Sequence, residues 1–176
     1  MRIKEDLNKR DMFNLIRCDF YEWCRWRNWN ANIKTFMKLF FLFPEYRYLV
    51  GVRLRMGGVK FIACICRFSA RYHKLQIDDS PGKGFRIMHG FSTIVNCKKM
   101  GDYCLVSQLV TIGWGKGGTP VIGNNVEIYA GAIIIGGITI GDNVKIGAGA
   151  VVVNDIPSDC TVVGNPARII RHKNNG

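Results

Sequence analysis

Three histidines, His73, His89 and His172, are the imidazoles this chain offers for acid–base or ligand chemistry, and they lie far apart in the sequence. That dispersion argues against a three-histidine metal site. The seven cysteines (Cys18, Cys24, Cys64, Cys66, Cys97, Cys104 and Cys160) form an odd set without a C-x-x-C pair, so neither a disulfide framework nor a zinc ribbon is indicated. They are expected to be reduced, mostly buried thiols in a metal-free protein. An imidazole titrating near neutral pH suits the work of a general base. His89, between Met88 and Gly90, has the right chemistry for it, although on the residues alone a turn-filling role is the more economical reading. Lys116 sits in a glycine-rich stretch, but G-K-G-G lacks the spacing and the Ser/Thr partner of a P-loop.

The element that must hold these residues is a repeat of period six. Ile122, Ile128, Ile134, Ile140, Ile146 and Val152 follow one another at that spacing, and four positions after each stand Val126, Ala132, Ile138, Val144, Ala150 and Ile156. All twelve are apolar. Gly123, Gly141 and Gly147 follow three of the large aliphatics, while Asn124, Asn125, Asp142 and Asn143 occupy turn positions that tolerate unusual backbone angles. Such a period fits a short strand and a sharp turn, stacked so that each aliphatic lies over its equivalent in the next coil. The series extends backward as Met100, Val106 and Ile112, but Ile112 to Ile122 is ten residues, so four extra residues interrupt it. Residues 113–120 are therefore expected to bulge out as a loop, and a loop that breaks a regular solenoid commonly carries function.

Ahead of the repeat the composition is different. Residues 1–75 hold 16 Lys/Arg against 6 Asp/Glu, so 16 − 6 = +10 of the chain's net +12 lies there, with 15 of its 20 aromatic residues. Ile33, Phe36, Met37, Phe40 and Phe41 recur at helical spacing up to Pro44; Tyr46, Leu49, Val50 and Leu54 predict a second helix headed by that proline, and Gly57-Gly58 a break. A third helix follows, with Lys60, Arg67 and Arg71 on one stripe and Phe61, Ile62, Ile65, Cys66 and Phe68 over much of the rest. The expected organisation is a basic, aromatic-rich helical cap over residues 1–74, a β-solenoid over 75–171 and a short tail over 172–176.

The repeat resembles the hexapeptide-repeat acyltransferases. The resemblance rests most firmly on IGAGAVVVNDIPSDCTVVGNPARIIR, which is similar to the terminal coil and closing segment of that family's acetyltransferases. It implies a mainly β fold, a left-handed parallel β-helix preceded by a small helical region. Within the family, FRIMHGFSTIVN and VSQLVTIGWGKGG resemble the histidine-bearing segment and the following strand and loop of serine acetyltransferases and of the related O-acetyltransferases of envelope polysaccharides, the colanic acid branch among them. His89 matches the base of those enzymes, which reverses the odds against a catalytic role. An aspartate of an LQID-like stretch orients that base in serine acetyltransferases, which makes Asp78 the preferred partner with Asp79 open. The family pattern further implies acetyl-CoA as co-substrate, with its arm passing Ala130, Gly131, Ala148 and Gly149, its phosphates near Arg168 and Arg171, and its thioester flanked by Gly113 and Trp114. For the Ala and Gly positions, turn geometry alone is an equal alternative. A homotrimer with active sites between subunits is implied too.

Two departures bear on the acceptor. Where serine acetyltransferases carry an Arg-His-Pro segment, this chain has Gly118-Thr119-Pro120, and its end does not resemble the isoleucine-terminated tail of those that dock onto the next enzyme of cysteine synthesis. The leading expectation is thus an acetyl-CoA-dependent O-acetyltransferase acting on a sugar hydroxyl of an envelope or capsular polysaccharide. Serine O-acetyltransferase is the alternative, and a non-catalytic trimeric scaffold the third.

Composition trims other classes. With 48% hydrophobic and 22% charged residues the chain is too apolar for intrinsic disorder. No run of 18 apolar residues exists, and Arg2, Lys4, Glu5, Asp6, Lys9, Arg10 and Asp11 crowd the place of a signal peptide's apolar stretch. A cytoplasmic protein is expected, with peripheral contact at the inner face of the membrane open to the basic cap. No nucleic-acid-reading motif accompanies the positive charge.

Overall fold

The computed structural model describes residues 9–68, 75–78 and 81–172. Arg71, Asp79 and the tail beyond His172 lie outside the described residues, as do the side chains of Arg67, Phe68 and His172. Four helices come first: α1 (Lys9–Trp26), α2 (Ile33–Leu42), α3 (Pro44–Met56) and α4 (Lys60–Phe68). Local chemistry sets their ends. Asn32 caps α2 by accepting the Thr35 amide at 2.9 Å, Pro44 supplies the first turn of α3, and α3 stops at Gly57-Gly58, where Gly58 has φ +80°. Helix α1 carries no unbroken apolar stripe, because its inward residues, Met12, Ile16, Asp19 and Trp23, include a carboxylate.

Fourteen short strands follow: β1 (Gln76–Ile77), β2 (Arg86–Met88), β3 (Ile94–Val95), β4 (Lys99–Met100), β5 (Leu105–Ser107), β6 (Thr111–Gly113), β7 (Val121–Ile122), β8 (Glu127–Ile128), β9 (Ile133–Ile135), β10 (Thr139–Ile140), β11 (Lys145–Ile146), β12 (Val151–Val152), β13 (Cys160–Val163) and β14 (Arg168–His172). They form three sheets, β1-β3-β6-β9-β12, β4-β7-β10 and β2-β5-β8-β11-β13-β14, parallel throughout except for the antiparallel closing pair β13/β14. The chain visits the three in rotation, which makes a parallel β-solenoid with three faces and three corners.

Strand register reports the coil length directly. Ile134 pairs with Val152, 152 − 134 = 18 residues on, and Ile128 with Ile146, again 18, so three hexapeptides make one coil. Ile112 pairs with Ile134, 134 − 112 = 22, which puts the four-residue insertion where the broken period predicts it. Of the twelve repeat aliphatics all but Ile138 are buried. Full burial of one such side chain contributes about 1.5–3 kcal/mol, so the stack is the main source of the solenoid's stability.

The helices share this core. Trp23, Leu39, Tyr46, Leu49 and Val52 belong to the same buried cluster as Phe85, Ile87 and the solenoid aliphatics, and the Trp23 indole donates to the Phe85 carbonyl at 2.9 Å. Beneath it lies an ionic joint. Arg53 of α3 donates through Nε to Asp19 Oδ2 at 2.9 Å and through Nη2 to Asp19 Oδ1 at 3.3 Å, while Nη1 reaches the Pro81 carbonyl at 2.6 Å and Nη2 the Gly82 carbonyl. Asp19 of α1 also accepts the Phe85 amide at 3.1 Å. Burial pushes the Asp19 carboxyl above its ordinary value, and Arg53 and the Phe85 and Gly84 amides pull it back. Two helices and the first coil thus meet on one guanidinium, just upstream of β2 and His89.

Candidate active site

His89 stands at the corner that leads from β2 to β3. From Ile87 to Val95 is eight residues, whereas the same corner elsewhere takes six, as from Val106 to Ile112, Ile128 to Ile134 and Ile146 to Val152. Two extra residues therefore swell the first coil where His89 sits. The sequence does not betray this, because the aliphatic series is interrupted between Ile87 and Met100. His89 and Ser92 have φ of +53° and +48°, the Phe91 amide closes a tight turn onto the His89 carbonyl, and the imidazole is exposed. A left-handed non-glycine residue costs of order 1 kcal/mol and recurs at functional sites. Gly90, behind it, is buried against Ile87 and Leu75 and against the Cγ methylene of Glu45 of α3, so the helical region reaches this corner through a side chain that the sequence does not single out.

Below His89 the same corner is laddered from coil to coil. The Leu109 amide donates to the Phe91 carbonyl at 2.9 Å, the Gly131 amide to Gln108 at 3.0 Å and the Gly149 amide to Ala130 at 2.9 Å. Ala130, Gly131, Ala148 and Gly149 therefore share one edge with His89. Gly131 and Gly149 have φ of +71° and +67°, so the turn itself calls for glycine there. Arg168 of β14 pairs with Val163, one residue before this corner in the last coil, and is exposed. Four coil spacings separate β2 from β13, which sets the edge at about 19 Å. Arg171 pairs with Thr161, farther along the same sheet.

The remaining predicted residues lie elsewhere. Asp78 follows β1 at the corner that leads out of the first sheet, in the column continued by Asn96 and Gly113. Among the described residues no hydrogen bond joins it to His89, and the width of a sheet separates the two within one chain. Gly113 and Trp114 open the inserted loop at that second corner. Nothing lies within 4 Å of where a Cβ would stand on Gly113, so neighbouring atoms do not require glycine there. The Trp114 side chain is 76% exposed, an unusual setting for so large an apolar ring.

The loop itself is built, not slack. Gly115 and Gly118 exchange backbone hydrogen bonds at 2.9 and 3.0 Å, and the Gly137 amide of the next coil holds the Lys116 carbonyl at 2.9 Å. A Cβ on Gly137 would come within 2.2 Å of the Gly117 carbonyl oxygen. Gly137→Ala is accordingly expected to push the loop off its neighbour at a cost of about 1–3 kcal/mol, read as a lowered Tm in thermal melts. An unchanged Tm would mean that the loop is not seated on this coil.

Beside the His89 edge the outer face of the long sheet carries an ionic chain. The Tyr129 hydroxyl donates to Glu127 Oε2 at 2.5 Å and Lys145 Nζ lies 3.0 Å from the same oxygen. Partial burial raises the Glu127 carboxyl, but the Tyr129 and Lys145 bonds and the Arg86 charge outweigh it and hold the group below its ordinary value. Tyr129 is pushed up to about 12, chiefly by donating to Glu127. The cysteines offer no comparable chemistry. Five of the seven are buried, burial raises the Cys24 and Cys66 thiols, and it takes Cys104 up to about 12.

Known proteins share this architecture. Residues 119–154 match the family described as bacterial transferase hexapeptide (six repeats). Serine acetyltransferase of Synechocystis sp. (strain ATCC 27184 / PCC 6803 / Kazusa) is 37% identical over 157 residues, 82% of this chain and 60% of its own. WcaB of Escherichia coli (strain K12), provisionally assigned as a colanic acid biosynthesis acetyltransferase, is 39% identical over 102 residues, 55% of this chain and 62% of its own. The crystal structure of serine acetyltransferase from Brucella abortus strain S19 superposes with a TM-score of 0.75 at 25% identity, covering 93% of this chain and 70% of that one. The chain spans about three fifths of the length of these two curated relatives. Six hexapeptide repeats of the bacterial transferase type therefore run through two coils of the solenoid, and solenoid and helices together superpose on that serine acetyltransferase structure.

Proposed function

We propose that this protein is an acetyl-CoA-dependent O-acetyltransferase with His89 as its general base. The observation that carries the reading is the swollen corner that thrusts an exposed imidazole out at the head of an edge of small residues ending in Arg168. His89 takes the acceptor's hydroxyl proton, the oxygen attacks the thioester carbonyl, and the tetrahedral intermediate expels the thiolate, which recovers the proton; no acyl-enzyme forms. Along the edge, Ala130 and Ala148 leave room for the pantetheine arm, and Arg168 and Arg171 supply positive charge for the phosphates. Use of acetyl-CoA fits a cytoplasmic protein. Among the described residues no helix is long and apolar enough to cross a membrane.

One chain offers two half-sites, His89 with the small-residue edge at one corner and Asp78, Gly113 and Trp114 at another. A cyclic trimer is joined by heterologous contacts, in which two different patches of each copy meet. Such a ring is the arrangement that would set Asp78 and Trp114 of one copy beside His89 of the next.

For the acceptor, serine ranks first. This reverses the order expected from sequence, and what supports it is coverage: the Synechocystis serine acetyltransferase aligns with helices and solenoid alike, the colanic acid protein with little more than half of this chain. A sugar hydroxyl is the second reading. It is favoured by Gly118-Thr119-Pro120 in place of Arg-His-Pro, and by the bare Trp114 ring, whose flat apolar face suits the C–H face of a pyranose. CoA release from acetyl-CoA, measured with L-serine and in parallel with nucleotide sugars and simple glycosides, separates them. Saturable release with serine is the expected result; release with a sugar alone would establish the second reading, and release with neither acceptor would count against both.

A further inference from the structure

We infer that the outward face of the helical region docks on an anionic lipid surface, with α2 and α4 lying in the headgroup plane. The inference is independent of the reading of His89.

Helix α4 is turned inside out. A surface helix normally buries its large apolar side chains; here Ala63 and Cys66 face the core while Phe61 is 79% exposed and Ile62 and Ile65 more than half exposed. Phe61 and Ile65 are one turn apart and Ile62 lies beside them, so the exposed residues form a face. Helix α2 repeats the pattern. It buries Leu39 and half-buries Phe36 and Phe40, yet leaves Ile33, Met37 and Phe41 exposed at i, i+4 and i+8, with Leu42 at 67%. Lys34 and Lys38, also exposed, run along the side of that stripe. Lys60 heads α4.

The charge identifies the occupant. Residues 1–75 carry a net +10. Among the described carboxylates of the helices Asp19 and Glu22 are buried and Glu45 half-buried, which leaves Asp11 as the exposed one. A second copy of the chain would meet this face with the same excess of positive charge, and like-charge juxtaposition disfavours that pairing. A nucleic acid would answer the charge but leave the Phe and Ile side chains in water. Anionic headgroups over an acyl boundary satisfy both, as in interfacial amphipathic helices with aromatic and aliphatic residues on one side and lysines at its border.

The test is flotation of the full-length protein with phosphatidylcholine vesicles, with and without phosphatidylglycerol, at physiological salt. Binding is expected with the anionic vesicles, falling steeply as salt is raised. Phe61→Ser/Ile65→Ser should weaken it by about tenfold or more, since two large apolar contacts are lost, with circular dichroism and solution mass unchanged. Lys34→Glu/Lys38→Glu should weaken binding to anionic vesicles alone. Failure of the wild-type protein to float with anionic vesicles would overturn the proposal, as would undiminished binding by the Phe61/Ile65 variant. A wild-type assembly whose mass falls by half in that variant, with no vesicle binding, would also overturn it and assign the face to self-association.

Discussion

Replacing His89 by glycine is expected to lower kcat/KM by about 10²–10⁴, the usual contribution of a positioned general base, while leaving the fold intact. Backbone energetics make this variant a clean one. His89 sits at φ +53°, and a left-handed L-residue carries about 1–2 kcal/mol of strain that glycine does not. Glycine in turn costs about 0.5–1 kcal/mol in chain entropy. The two nearly cancel, so the Tm should stay close to that of the wild type and the lost activity cannot be laid to unfolding. His89→Ala should lose as much activity with a slightly lower Tm. If either variant turned over acetyl-CoA at a near-normal rate with the acceptor that the wild type uses, His89 would be a turn residue and nothing more.

The second large effect is structural. Arg53→Met should destabilise the protein by about 3–5 kcal/mol, because Asp19 is left buried without a countercharge. For a chain of 176 residues that corresponds to a fall in Tm of roughly 6–20 °C. The Pro81 and Gly82 carbonyls lose their donors at the same time. Adding Asp19→Leu to Arg53→Met should recover part of the loss, since an apolar pair no longer strands a charge. Losses that simply add in the double variant would mean that the two residues are not coupled. Activity should fall further than the folded fraction does, because Pro81 to Phe85 lead directly into β2 and the His89 corner.

How much of this was legible depends on where the chain repeats itself. From Ile122 to Ile156 every coil obeys one spatial rule, so the period alone yields the short strands and turns, and its interruption ahead of Ile122 the inserted loop; that three repeats close one coil is seen in the strand register. At the first coil the rule fails. The eight-residue step from Ile87 to Val95 is visible only once Val95 is known to pair with Ile112. Helix α1 was hidden for a different reason: its inward stripe includes Asp19, and a buried carboxylate becomes intelligible only beside Arg53, 34 positions away. At the candidate site, His89 and the Ala/Gly pairs were expected from a resemblance, and coil geometry places them on a common edge. Within one chain, proximity of Asp78 to His89 in sequence does not translate into proximity in space, since eleven residues of a solenoid lead round to a different corner. Glu45 left no sequence signal, because its approach to Gly90 depends on how α3 packs against the first coil.

The corner ladder has a consequence for how sites on such a scaffold can vary. Position along the edge comes in whole steps of one coil, about 4.8 Å each, because Ile128 and Ile146 pair in fixed 18-residue register. The distance between His89 and Arg168 is therefore a ruler graduated in coils. Losing or gaining six residues would rotate every later side chain onto another face, whereas losing or gaining 18 would shorten or lengthen the edge by one graduation and leave each face as it was. On the function proposed for this edge, reach toward a longer or shorter acyl carrier would be adjusted by counting coils, and the swollen corner and the inserted loop are the two places where this chain departs from the count.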